Sequence, residues 1–303
     1  SGWPSPPGTN GTGNHCSWHG VSCAPGDYVT KLELSGCGLT GTIPNSGLFS
    51  IRELEVVNLG NEPFKGLKGL EGTLPADLSQ ATGLQVVDVS ANNLQGTVPD
   101  MSLLTELQSI NLHYNHFTGL LPDLKAPGLT YISFATNDFH GTIPSSWTKL
   151  NNVTILGLAS NQLSGTVGAV IMGMPKLEVV FFRRNMFSGE IPLLPASAKV
   201  VDFDHNNFTS IAAGMCNKPT LPAFGSPGGC LSDYPNQSYH TCCFGNNTFG
   251  TSFGALTQPC LVPNCFGGNE CNPNRGCTVC KACCNPFIPD GPSCDACNKS
   301  QCK

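Results

Sequence analysis

The sequence predicts a solenoid of short parallel strands followed by a separate module held together by disulfides. Two observations carry this expectation. An apolar pattern ending in Asn recurs along the chain, with Asn at 92, 115, 137, 161 and 185, spaced by 23, 22, 24 and 24 residues. Past residue 210 the pattern stops, and fourteen of the 17 cysteines follow it. Self-similarity at a fixed period of about 20–50 residues is the mark of stacked supersecondary units.

Each turn can be justified from its residues. One reads Leu84, Val87, Val89, Asn92, Leu94, Gly96, Val98, Pro99, and the next Leu107, Ile110, Leu112, Asn115, Phe117, Gly119, Leu121, Pro122. The order repeats from Leu129 to Pro144, from Val153 to Val167 and from Leu177 to Pro192. Alternating apolar residues such as Ile110 and Leu112 suit a short parallel strand whose inward face meets the core. The Asn turns inward, where its amide can satisfy backbone groups as the chain bends. Gly and Pro allow an irregular or 3-10 return path over a convex side. One turn cannot bury its own apolar face, so it depends on its neighbours.

Two earlier turns are altered. Leu32, Leu34, Leu39, Gly41, Ile43 and Pro44 fit with Cys37 in the Asn position; Val57, Leu59, Phe64 and Gly66 fit with Glu62 there. From Glu62 to Asn92 is 30 residues, which implies an insertion of six around Gly66–Gly72. The last turn holds Val201, Phe203, Asn206 and Phe208. Eight turns are expected across residues 29–210, between an N-terminal segment (1–28) and a loop-dominated module (211–303).

Composition limits the functions available. Net charge is −5 with a pI near 5.7 and no basic run, which argues against nucleic acid and anionic membranes as partners. No apolar window reaches the roughly 18 residues of a membrane span. The chain starts at Ser1 without a Met or an apolar leader, so removal of a signal peptide is expected. Cysteine density of this order is rare where thiols are kept reduced. Sequons at Asn10, Asn152, Asn207, Asn236, Asn246 and Asn298 agree with secretion and are candidate glycan sites.

The Leu-x-Gly-x-[Ile/Val/Leu]-Pro element, as in Leu39 to Pro44, resembles the plant-type extracellular leucine-rich repeat. The stretch from Trp3 through Cys16, Trp18 and Gly20 to Cys23 is similar to the second half of that family's N-terminal cap. The resemblance covers residues 1–210 and implies a leucine-rich-repeat solenoid with a curved parallel sheet. It also implies the company of receptor ectodomains, wall-associated proteins and hydrolase inhibitors, which bind proteins, peptides or glycans. The helical first half of the cap has no counterpart here, and the C-terminal module is not the family's short closing cap.

That module holds Cys216, Cys230, Cys242, Cys243, Cys260, Cys265, Cys271, Cys277, Cys280, Cys283, Cys284, Cys294, Cys297 and Cys302. With few large apolar residues, its terminal stretch needs covalent staples. The spacing leaves the pairing open. Zinc is the competing reading of Cys277–Cys280 and Cys294–Cys297, but adjacent cysteines and the lack of His after His240 favour seven disulfides. Cys16 and Cys23 are expected to form a further pair in the cap. Cys37 is left over and is expected to be a buried thiol, with an intermolecular disulfide as the alternative.

No nucleophile elbow, zinc helix or phosphate loop is present, so no enzyme, cofactor or metal is expected. Asp202 and Asp204 share a face of one strand and read as solvated surface rather than a catalytic dyad. Residues flanking the buried strand positions form the better candidate surface. Its first column is Glu33, Asn58, Asp88, Asn111, Ser133, Gly157, Phe181 and Asp202, with Ala135, Ala159 and Ser160 keeping the middle shallow. Its binding candidates are His113, Tyr114, Phe181, Arg183, Arg184, Asp204 and His205, with Phe181 expected to be an exposed anchor. Pairing of Arg183 and Arg184 with nearby acids is the plainer alternative. The sequence thus reads as a secreted, non-enzymatic recognition protein for an extracellular protein or glycan. The other reading is a structural subunit of a matrix, wall or surface filament that self-associates end to end.

Overall fold

The computed structural model describes residues 15–61, 69–212 and 241–243. The chain divides into two compact units, Ser1–His140 and Gly141–Lys303.

The first unit opens with a 3-10 turn at His15–Ser17 and strand β1 (Val21–Ala24), which runs antiparallel to β2 (Tyr28–Glu33). A disulfide joins Cys16 of the 3-10 turn to Cys23 of β1. Outer and inner strands then alternate: β3 (Gly41–Thr42), β4 (Val56–Asn58), β5 (Leu70–Gly72), β6 (Val86–Asp88), β7 (Asn93–Thr97), β8 (Ser109–Asn111), β9 (His116–Gly119), β10 (Tyr131–Ser133) and β11 (Asp138–Gly141). Strands β2, β4, β6, β8 and β10 form one parallel sheet, and the odd-numbered strands from β3 to β11 form another. Each inner strand buries its central residue, and Leu32, Val57, Val87, Ile110 and Ile132 stack in register. Leu94, Phe117 and Phe139 of the outer strands are buried as completely, so both layers contribute to one core.

The Asn amides perform the inward role expected of them. Leu94 N–H donates to Asn115 Oδ1 at 3.0 Å, while Asn115 Nδ2 donates to the carbonyls of Val89 (3.0 Å) and Leu112 (3.1 Å). Asn137 repeats this with Phe117, Leu112 and Phe134. Each amide therefore ties its own turn to the one before.

This geometry corrects the placing of the insertion. Leu70 N–H donates to Asn92 Oδ1 at 2.8 Å, the role Leu94 plays for Asn115. The outer element of that turn is therefore Leu70–Gly72, and the added residues precede it. Glu62, Phe64 and Gly66 lie outside the described residues.

Cys37 is also corrected: it is exposed. A thiol cannot make the paired amide bonds that draw Asn inward. Gly38, at φ +68°, then turns the chain away instead of continuing the regular path.

The second unit repeats the arrangement. A 3-10 turn at Ser145–Lys149 precedes β12 (Ile155–Gly157), β13 (Gln162–Gly165), helix α1 (Gly168–Met172), β14 (Val179–Phe181), β15 (Met186–Ile191), β16 (Val200–Asp202) and β17 (Asn207–Ile211). Strands β12, β14 and β16 pair in parallel, and β13, β15 and β17 form the outer layer. The five inner strands of the first unit's parallel sheet and these three make eight turns among the described residues. Phe182 packs on Phe187 (5.1 Å between centroids) and edge-on to Phe203 (5.5 Å, 89°), with Phe208 behind. One further strand, β18 (Thr241–Cys243), comes from the cysteine-rich region and pairs with β16 in parallel. The remaining tail cysteines and their pairing lie outside the described residues.

Helix α1 sits unusually close to the 3-10 turn. A Cβ at Gly173 would overlap the Thr148 carbonyl oxygen and lie 2.7 Å from its Cα. Gly173→Ala is therefore expected to cost about 2 kcal/mol, since backbone on both sides leaves no flexible atom to yield. Denaturant titration of the full chain checks it, and a change within about 0.5 kcal/mol would show that the two segments separate freely.

Candidate functional site

Because side chains alternate along a strand, the first and third residues of each inner strand face away from the core. In the first unit the third positions are Glu33, Asn58, Asp88, Asn111 and Ser133, as anticipated. The first positions, Lys31, Val56, Val86, Ser109 and Tyr131, form a parallel row that sequence reasoning overlooked. Its signal is the residue immediately before each buried strand centre.

The third-position column turns its polar atoms back on the chain. The N–H groups of Gly60, Ser90 and His113 donate to the Oδ1 atoms of Asn58 (3.2 Å), Asp88 (2.9 Å) and Asn111 (3.3 Å). Asp88 also accepts from Ser90 Oγ at 2.6 Å and Asn111 Nδ2 at 3.0 Å. These side chains shape the bend and link successive rungs. Beside them, His113 and Tyr114 stand edge to face with centroids 6.3 Å apart. Burial holds the His113 imidazole below its usual range, against the opposing pull of Asp88, so the ring is neutral at neutral pH. The first unit thus offers a half-buried row of mixed character, with Val56 and Val86 side by side and Tyr131 at its end, beside the His113–Tyr114 pair.

In the second unit the first row is Ile155, Val179 and Val200, and the next is Gly157, Phe181 and Asp202. Several expectations change here. Phe181 is half-buried rather than exposed, standing in register between Gly157, which has no side chain, and Asp202. Gly157 and Ala159 are buried, and so is Ser133 in the first unit, so the small residues floor the surface rather than line a channel.

Asp202 is not solvated: it is 3% exposed. Desolvation raises its carboxyl to about 6, although Arg183 and the Asp204 N–H both favour the charged form. That N–H donates to Asp202 Oδ1 at 3.1 Å, the same bend-forming bond that Asn58 and Asn111 accept. Asp204 Oδ2 lies 3.6 Å from Arg183 Nε and 2.6 Å from His205 Nδ1. Arg183, Asp204 and His205 are thus brought together, and much of their charge is used within the group. Arg184 stands next to them on the following backbone position, one of six non-glycine residues held at φ between 52° and 57° just before an inward Asn. This left-handed slot, which also carries Tyr114 and His205, costs roughly 1–2 kcal/mol per residue and aims bulky side chains outward. Sequence periodicity showed the slot but not its handedness.

Among the described residues, one group of metal-ligating side chains converges: His15, Cys16 and Cys23. The sulfurs are joined to each other, and His15 Nε2 is 2.9 Å from the Asp27 carbonyl, so these atoms are occupied. Of the sequons, Asn152 and Asn207 are described; Asn10, Asn236, Asn246 and Asn298 lie outside the described residues.

The family model for Leucine Rich Repeat matches residues 28–47 and 106–124. Receptor-like protein 41 of Arabidopsis thaliana is 29% identical over 208 residues, covering 60% of this chain and 24% of that protein. The ectodomain of the Arabidopsis receptor kinase GASSHO1/SCHENGEN3, solved with CASPARIAN STRIP INTEGRITY FACTOR 2, superposes with a TM-score of 0.54 at 28% identity, over 65% of this chain and 24% of that one. The chain is a leucine-rich-repeat solenoid similar to the ectodomains of plant receptor-like proteins. The Arabidopsis receptor kinase HAESA, solved with the peptide hormone IDA and the co-receptor SERK1, gives this leucine-rich-repeat chain a TM-score of 0.50 at 26% identity, covering 66% and 33% of the two. The chain spans about a quarter or less of the length of the curated relatives it matches. Among the described residues, no helix is long and apolar enough to cross a membrane.

Proposed function

We propose that this leucine-rich-repeat chain is a non-enzymatic recognition protein of the extracellular space that binds a peptide or protein segment along its strand-lined face. The carrying observation is that Asp88, Asp202 and Asp204 on this face bond to the backbone or to neighbouring side chains, while Val56, Val86, Ile155, Val179 and Val200 form the row beside them, with His113, Tyr114 and Phe181 near by. Such a surface suits burial of apolar ligand groups rather than proton transfer. The peptide and factor complexes of HAESA and GASSHO1/SCHENGEN3 support this reading. The disulfide in the cap and the cysteine-rich composition support an oxidising compartment.

The test is selection of a random-peptide display library on the immobilised full chain, followed by affinity measurements on face variants. Tyr114→Ala in the first unit and Phe181→Ala in the second should each be tried. Loss of about tenfold or more in affinity for either, the scale of an interface anchor, is expected. Peptides that bind both variants as well as the parent would remove the strand face from consideration. Light scattering on the same preparation separates this from the filament reading, which requires ordered polymers.

A further inference from the structure

Strand β17 is the end strand of the second unit's outer sheet; among the described residues only β15 pairs with it. End strands carry unpaired backbone groups and invite pairing with another chain, which natural sheets avoid with bulges, charge or cover. β17 already has a bulge: Gly189 pairs with Phe208 and Glu190 with Ser210, so Thr209 is the extra residue. The strand carries no Lys, Arg, Asp or Glu between Asn207 and Ile211. Along it, Phe208 is buried while Asn207 and Thr209 are exposed on the opposite face. These three residues are a sequon whose Asn and Thr are both exposed, with Thr209 Oγ1 donating to the Gly189 carbonyl at 3.2 Å.

We propose that Asn207 carries an N-linked oligosaccharide that guards the outer edge of β17 against pairing with a second copy of the chain. The inference rests on the extracellular reading above, because the transfer takes place in the secretory pathway. Asn207 Nδ2 bonds to the anomeric carbon of an oligosaccharide held on a polyisoprenyl pyrophosphate. The anomeric C–O bond to the pyrophosphate breaks, and an amide proton leaves with that pyrophosphate. The product amide keeps Oδ1 and projects from an exposed strand position, so no core contact is displaced. A bulky, hydrated group there excludes a neighbouring strand from this uncharged edge.

The full chain should be produced in a eukaryotic secretory host. Peptide mapping after glycosidase release in heavy-oxygen water then marks each formerly glycosylated Asn as a labelled Asp. Asn207 is expected among the marked sites. Size-exclusion chromatography with light scattering should next compare the parent with Asn207→Gln and Thr209→Val, which remove the sequon at different residues. Both should show about a two-fold or greater rise in mean mass at concentrations where the parent is monomeric. Thr209→Lys, which removes the sequon but restores an edge charge, should stay monomeric. An unmodified Asn207, or sequon variants as monomeric as the parent, would overturn the proposal. Enzymatic deglycosylation of the folded parent gives the same comparison if a variant fails to fold. Asn207 occupancy is read independently of peptide binding, so this inference and the recognition role fail separately.

Discussion

Replacing Asn185 by Ala is expected to lower the stability of the second unit by roughly 2–3 kcal/mol, since a buried polar group left without a partner costs about 1–3 kcal/mol and two further bonds are lost. The amide accepts from Leu163 N–H at 3.0 Å and donates to the carbonyls of Leu158 (2.8 Å) and Phe182 (3.1 Å). Alanine leaves the Leu163 N–H buried without an acceptor and removes one of two donors from each carbonyl, which keep Asn161 Nδ2 (3.2 Å to Leu158) and Asn206 Nδ2 (2.9 Å to Phe182). Asn185→Asp is no rescue, because a carboxylate accepts but cannot donate to the two carbonyls. The exposed Asn93, just past the inward Asn92, provides the comparison: Asn93→Ala should change stability by less than about 0.5 kcal/mol. Urea titration of both variants decides the matter. A loss at Asn185 no larger than at Asn93 would mean that the amide bonds are incidental to the stack.

The opposite sign is expected at Asp202. Its folded carboxyl titrates near 6 rather than 3.8, mainly because burial penalises the charged form. The native chain therefore holds this proton more tightly than the unfolded one. The stabilising effect of the protonated group is complete below about pH 4 and is lost as pH rises through about 6. The difference corresponds to about 3 kcal/mol once the group is fully ionised. Asn58 and Asn111 show that an amide makes the same bend-forming bond in this position. Asp202→Asn should thus raise stability by up to about 3 kcal/mol at pH 7 and by little at pH 4. The variant-minus-parent difference, measured at the two pH values, cancels the other titrating groups. A difference that does not change with pH would refute the assignment to Asp202.

The repeat was legible because its determinants are local. An inward Asn, a Gly at the outer strand and a buried strand centre each announce themselves at a fixed spacing. What the spacing did not carry was which neighbour each side chain meets. Asp202 and Asp88 occupy equivalent positions, yet Asp88 is half-buried with three donors while Asp202 is covered and raised in pKa. Phe181 looked like an exposed anchor until its partner in register proved to be Gly157, over which a ring can settle. Cys37 occupied an inward position by spacing alone, whereas the inward direction comes from amide bonds that a thiol cannot make. The insertion was misplaced because two Leu/Phe-x-Gly candidates fell close together, and only the bond from Leu70 to Asn92 distinguishes them.

The reach of each inward amide also sets an order in time. Asn92 completes the outer strand that begins at Leu70, Asn115 the one at Leu94, and Asn206 the one at Phe187. As the polypeptide leaves the ribosome N-terminus first, no turn can be locked until the next has emerged, some twenty residues later. The solenoid is therefore built to close one step behind its own synthesis, and its newest turn always waits, open, for the residues that follow.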